Sequence, residues 1–248
     1  MTVSYSRDQS VAVVTIDRPE RKNAIDRATA NDLGEAIERF ETGDADVCVL
    51  TGANETFCAG ADLQAMNLED GPDGWLGISR KQVSKPTIAA VEGHCVAGGL
   101  ELALWCDLRV ASQEAVFGCF ERRFGVPLVD GATQRLPRVV GVGRALDMIL
   151  TGRAVDAREA ERWGLVNRVV PAGETREAAV RLGNTIAEFP QQTVRTDREA
   201  VYDGIGVPIE QGLTIEAWHG TQALETALEG ANRFAGGEGR SGAGVPDE

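Results

Sequence analysis

One acidic residue interrupts the apolar stretch "CVAGGLELALWC" (95–106): Glu101, two residues past a Gly-Gly pair and followed by Leu102, Ala103, Leu104, Trp105 and Cys106. An ionised carboxylate taken out of water either finds partners or shifts its pKa toward the neutral form. Glu101 is therefore a capping group near a helix start or a group that moves protons. Two Gly-containing turns offer a second piece of chemistry, "LTGANETFCAGADL" (50–63) and "VEGHCVAGGLEL" (91–102), each directly after an apolar run. Small residues let a ligand approach the backbone, and an N–H exposed at a helix start is a donor to negative charge. Two such donors converging on one carbonyl oxygen would form an oxyanion hole; the alternative is a pair of tight strand-to-helix turns.

Other mechanisms have little material. "GVGRAL" (141–146) lacks the third glycine of a dinucleotide-binding fingerprint and follows no clear strand. The chain has neither a P-loop lysine motif nor a G-x-S-x-G nucleophile elbow. Only His94 and His219 are available for histidine chemistry, and His94 and its neighbour Cys95 would point to opposite faces of a strand. No metal or redox cofactor is expected.

The formal net charge of -13, without a long basic block, argues against nucleic acid and anionic membrane surfaces as partners. An anionic substrate would need a local group of donors. No stretch is apolar for long enough to span a membrane, and the start "MTVSYSRDQS" lacks the pattern of a signal peptide, so a cytoplasmic location is expected. The 5 cysteines form no C-x-x-C pair and sit mostly in apolar surroundings, which predicts reduced, buried thiols.

The elements that must position these groups follow from periodicity. Apolar, β-branched runs at "VAVVTI" (11–16), "VCVLTG" (47–52), "PTIAAVEG" (86–93), "DLRVAS" (107–112) and "GLVNRVV" (164–170) read as strands. Between the first two, Leu33, Ala36, Ile37 and Phe40 recur at helical spacing over 27–41. Continuously apolar strands alternating with helices predict an α/β fold with a mostly parallel sheet. From about residue 174 three helices are expected without strands, ending in a frayed tail "AGGEGRSGAGVPDE" (235–248). The division expected is a main domain over 1–190 and a C-terminal helical segment over 191–248.

"DRPERKNAID" (17–26), "FCAGADL" (57–63), "GHCVAGGLELALWCDLRVAS" (93–112), "TQRLPRVVG" (133–141) and "ILTGRAVDAREAERWGLVNRVVP" (149–171), in this order, resemble the enoyl-CoA hydratase/isomerase family, the crotonases. The resemblance runs from about residue 3 to 190 and implies a crotonase-like βα superhelix core with a C-terminal helical trimerisation segment. It implies an acyl-CoA thioester as ligand, with the coenzyme A part of the substrate, and self-association to a trimer or hexamer.

Carried over residue by residue, the resemblance implies Ala61 and Gly98 as the backbone donors of the oxyanion hole. It places Lys22 and Ala24 along the nucleotide and pantetheine, Ala59 at the adenine, and Asp62 and Leu63 at the acyl pocket, with Arg18, Arg21 and Lys22 supplying positive charge. Glu101 stands where hydratases of the family have one catalytic glutamate, and Glu121 where they have the second. Together the two could orient a water for addition across a 2-enoyl thioester. The chain departs from the family pattern in having Phe120 before Glu121, "RRF" after it, a longer loop in "GVPLVDGATQRL" (125–136) and a different C-terminus, "ANRFAGGEGRSGAG". Asp130, in that loop, is a second candidate for the other acid. A one-carboxylate double-bond isomerase, a CoA-thioester hydrolase or C–C lyase, and a non-catalytic acyl-CoA-binding protein are the competing functions.

Overall fold

The computed structural model describes residues 2–239. They form two compact units that divide between Asn184 and Thr185.

In the first unit, β1 (Val3–Asp8), β2 (Val11–Ile16), β3 (Val47–Gly52), β5 (Thr87–Val91), β7 (Leu108–Ser112) and β10 (Arg168–Val170) make a 6-stranded sheet in the order β1-β2-β3-β5-β7-β10. β1 runs antiparallel to β2, and the other neighbours are parallel. β3 and β5 are buried along their whole length, as their unbroken apolar runs require for strands covered on both faces. The antiparallel edge strand β1 has no counterpart in the sequence reading: "VSYSRD" alternates only weakly and gains its place by pairing with β2.

Helix α1 (Arg27–Thr42) begins where Asp26 accepts a hydrogen bond from the Thr29 N–H, satisfying one donor of its first turn. It buries Leu33, Ala36, Ile37 and Phe40, the four side chains at helical spacing. The C-terminal region holds α6 (Thr175–Ala187), α7 (Gln191–Gly204), α8 (Ile209–Thr221) and α9 (Leu224–Ala235), one helix more than expected. The long amphipathic stretch after 209 breaks because the Gln222 and Ala223 N–H groups donate to the carbonyls three residues back, His219 and Gly220, tightening and ending the turn. Of the glycine-rich tail, residues 240–248 lie outside those described.

A second, small sheet positions the candidate site. β4 (Thr56–Cys58), β6 (His94–Val96) and β8 (Val116–Gly118) run parallel, with β9 (Val155–Asp156) antiparallel beside β8. The register pairs Thr56 with His94 and His94 with Val116, so the carboxyl ends of three strands open on the same side. That is where ligands collect in parallel α/β arrangements.

Candidate active site

Each of those three strand ends delivers one part of the site. After β4 the chain turns through Ala59 to Ala61. The Ala59 N–H donates to the Lys22 carbonyl at 3.0 Å, the Ile25 N–H to the Gly60 carbonyl at 2.8 Å and the Asp62 N–H to the Ile25 carbonyl at 2.8 Å. The Ala61 N–H, between these anchors, has no partner among the described residues.

After β6 the backbone bends sharply at Ala97, whose φ of 53° and ψ of -128° are rare for a residue with a Cβ. Its N–H donates to the Gly118 carbonyl at 2.8 Å, and its own carbonyl accepts from Leu100 at 3.0 Å and Glu101 at 3.3 Å. The bend starts α2 (Gly98–Trp105) and leaves the Gly98 N–H without a partner among the described residues. The two turns pack backbone to backbone: a Cβ on Gly98 would lie 3.2 Å from the Gly60 Cα, and one on Gly99 2.1 Å from the Cys58 carbonyl oxygen. Small residues are required here by close approach.

A cavity of about 90 Å³ is lined by Ala61 and Gly98 together with Glu101 and Glu121, and its remaining wall is mostly apolar. Glu101 is only 3% exposed. Its Oε1 accepts the Asp130 N–H at 2.9 Å and the Ala132 N–H at 3.0 Å, at the start of α3 (Ala132–Val140). Glu101 thus caps a helix, although not its own, with one oxygen. The other oxygen has no partner among the described residues. Burial, aided by the charges of Asp130 and Glu121, pushes the Glu101 carboxyl up to about 7, against the two N–H donors.

Beyond β8, a 3-10 turn (Phe120–Phe124) carries Glu121 into the same cavity. Both of its carboxylate oxygens are buried without a hydrogen-bond partner among the described residues. Burial raises its pKa as well, opposed in part by the nearby dipole of its own backbone N–H and, less, by the charge of Arg122. Buried carboxylate oxygens without partners are rare outside sites that receive a ligand or water.

Asp130 also lines the cavity, but its Oδ1 accepts the Ser79 hydroxyl and, at 3.3 Å, the Leu76 N–H. Leu63, 40% exposed, stands at the cavity wall together with Ala59. Asp62 is not among the residues that line this cavity. Its carboxylate turns inward to the Gln64 and Ala65 N–H groups and to Arg18, 3.1 Å away. Arg18 also meets Asp26 at 3.0 Å, so its positive charge is paired with two carboxylates of the protein itself. Arg21 reaches Gln64 on the surface, Lys22 is exposed with a left-handed backbone, and Ala24 is buried.

The sequence reading missed Trp75, Leu76, Phe120, Phe124 and Ala97, all on the cavity wall. An apolar Trp-Leu pair inside the Gly-, Asp- and Pro-rich stretch "EDGPDGWLG" was the one available signal for the first two. No helix among the described residues is long and apolar enough to cross a membrane.

In a mixed α/β core, two buried glutamates and two N–H groups without partners among the described residues thus meet at one cavity. The enoyl-CoA hydratase/isomerase family model matches residues 6–237, and the chain belongs to that family. It is 36% identical over 242 residues to a probable enoyl-CoA hydratase of Mycobacterium bovis, covering 94% of both chains. It is also 36% identical over 245 residues to the (E)-benzylidenesuccinyl-CoA hydratase of Thauera aromatica, covering 94% of this chain and 96% of that one. The crystal structure of an enoyl-CoA hydratase from Mycobacterium marinum superposes with a TM-score of 0.88 at 32% identity, over 94% of this chain and 95% of that one. The crotonase-like fold follows from these matches.

Proposed function

We propose that the protein adds water across the double bond of a 2-enoyl-CoA, with Glu101 and Glu121 as the acid–base pair. The observation that carries this reading is that one oxygen of Glu101 and both oxygens of Glu121, without partners among the described residues, share one cavity with Ala61 and Gly98, whose N–H groups are likewise without partners there. The thioester oxygen accepts from both N–H groups, which stabilise the negative charge it gains as C3 is attacked. A water held between the carboxylates gives its oxygen to C3 and a proton to one glutamate, while the other glutamate protonates C2. A carboxyl near 7 suits either role at neutral pH. The reaction transfers no electrons between redox partners, so it calls for no redox cofactor, and the proposed polarisation comes from backbone donors without a metal.

In this reading coenzyme A enters past the exposed Lys22, Ala24 lies beneath the pantetheine and Ala59 faces the nucleotide. Among relatives, hydratase names extend to the mevalonyl-coenzyme A hydratase of Aspergillus fumigatus, 36% identical over 237 residues, which supports hydration over the family's other reactions. Exposed Ile209, Leu213, Trp218, Leu224 and Leu228 on α8 and α9 favour self-association to a trimer or hexamer. The 5 buried, unpaired thiols fit a reducing compartment such as the cytoplasm.

Incubation with crotonyl-CoA tests the activity: loss of the enoyl-thioester absorbance at a rate proportional to enzyme is expected. No loss, together with conversion of a 3-enoyl-CoA to its 2-enoyl isomer, would replace hydration by isomerisation. Tight binding without either reaction would make the protein a non-catalytic acyl-CoA binder.

A further inference from the structure

Asp130 stands in the loop that is longer than the family pattern, and its contacts reach both halves of the site. Its backbone N–H holds Oε1 of Glu101 at 2.9 Å. Its Oδ1 accepts the Leu76 N–H at 3.3 Å and the Ser79 hydroxyl. Leu76 in turn packs on the oxyanion turn, since a Cβ added to Gly98 would lie 3.0 Å from the Leu76 Cδ1. Arg135, on α3, closes the arrangement by donating to the Asp130 carbonyl at 2.9 Å and to the Ser79 carbonyl at 2.6 Å. Gly74, at φ +83°, makes room for it: a Cβ there would fall 2.0 Å from the Ser79 Oγ and 2.6 Å from the Asp130 Oδ1. A surface carboxylate would have no need of this enclosure, and Asp130 is 3% exposed.

We propose that Asp130 is a positioning residue that latches the segment around Leu76 and Ser79 to the loop holding Glu101, setting the general acid–base carboxyl and the oxyanion turn in register. Its side chain takes no proton to or from substrate in this role. Its charge has a second consequence. The titratable and charged groups that reach Glu101 are Asp130 from this loop and Glu121 from the 3-10 turn, with Cys119 just before that turn feeling Glu101 as well. The negative charges of Asp130 and Glu121 act against ionisation of Glu101, and the N–H groups of Asp130 and Ala132 act for it.

The inference rests on the acid–base role proposed for Glu101, and its test has one readout that needs no turnover. In protein labelled with carboxyl-13C glutamate, with Glu101 assigned by comparison with Glu101→Gln, the Glu101 midpoint is followed by NMR against pH. Asp130→Asn keeps an oxygen for Ser79 and Leu76 but removes the charge, so the midpoint falls below that of the wild type. In steady-state hydration, Asp130→Ala releases the latch and lowers kcat by about 10–100-fold with a smaller change in KM, as a displacement of about 1 Å at a catalytic group does. Asp130→Asn recovers most of that loss. Ser79→Ala, which deletes one bond of the latch from outside the cavity, lowers kcat severalfold and serves if Asp130→Ala does not fold.

Equal loss of kcat in Asp130→Asn and Asp130→Ala would overturn the proposal, because it would make the carboxyl itself the acid. So would a Glu101 midpoint that stays or rises in Asp130→Asn, or wild-type kcat in both Asp130→Ala and Ser79→Ala. Should the wild type fail to hydrate any 2-enoyl-CoA, the proposed function falls by that result alone, and the midpoint in Asp130→Asn still decides whether Asp130 tunes Glu101.

Discussion

Replacing Glu101 by Gln separates what its carboxyl does for turnover from what it does to stability. In the folded protein the group titrates at about 7 against an ordinary value of 4.5, chiefly because it is buried. At 1.36 kcal/mol for each tenfold change in proton affinity, that difference corresponds to about 3 kcal/mol. The folded state holds the proton more tightly than the unfolded chain, so this stability is fully present below 4.5 and is lost as pH rises to about 7. Gln keeps an oxygen to accept the Asp130 and Ala132 N–H groups and never has to ionise.

Urea denaturation of both proteins from pH 4.5 to 8.5 measures the outcome. The unfolding free energy of Glu101→Gln relative to wild type should climb by about 3 kcal/mol between the ends of that range, with most of the climb between 4.5 and 7. In thermal scans this is about 6–12 °C for a chain of this length. The same variant should lose about 10²–10⁴-fold in hydration rate with little change in acyl-CoA binding. Titrating groups that do not interact with Glu101 act on both proteins alike and cancel in the difference. Parallel stability profiles for the two proteins would refute the assignment of Glu101 as a buried, protonation-coupled carboxyl, whatever the activity showed.

Glu121→Gln should lower the hydration rate by about 10²–10⁴-fold while calorimetry shows acyl-CoA binding near the wild-type value, and a near-normal rate would remove Glu121 from the mechanism. Arg18→Ala strips the counter-ion from Asp26 and Asp62, 3.0 and 3.1 Å away, and should destabilise the fold by about 3 kcal/mol in denaturant titration. Burial opposes ionisation of Asp62, but N–H groups of Ala65 and Gln64 and the Arg18 guanidinium hold its carboxyl below the ordinary range; that contribution is present at neutral pH and lost as pH falls into the acid range. Trp75 lines both the cavity of the two glutamates and a groove of about 550 Å³ beside α1, so Trp75→Ala should join them and raise kcat/KM for long acyl chains relative to crotonyl-CoA. An unchanged ratio across a series of acyl lengths would show that another residue sets the depth.

The strands β2 and β3 and helix α1 were legible because each carries its signal locally: a continuous β-branched run, or apolar residues at helical spacing behind an Asp cap. The family was legible too, since its motifs are contiguous stretches whose glycines answer to close backbone packing. Glu101 stood out as a charge in an apolar run, but its partners are the N–H groups of Asp130 and Ala132, 29 and 31 residues away, and no local pattern announces them. The small sheet was invisible because β4, β6 and β8 have 3 residues each, too few for any periodicity, and exist through pairing with one another. That pairing brings three strand ends to one cavity and decides which carboxylates face it. Asp62 and Asp130 are both acids in suggestive motifs, yet Asp62 turns to Arg18, and the Asp130 Oδ1 is taken by Ser79 and Leu76, while the oxygens of Glu121 are left without partners among the described residues. Residue type and order determine what chemistry is available to the chain; which groups are left unpaired and desolvated, and so able to act, is determined by segments far apart in sequence closing around them.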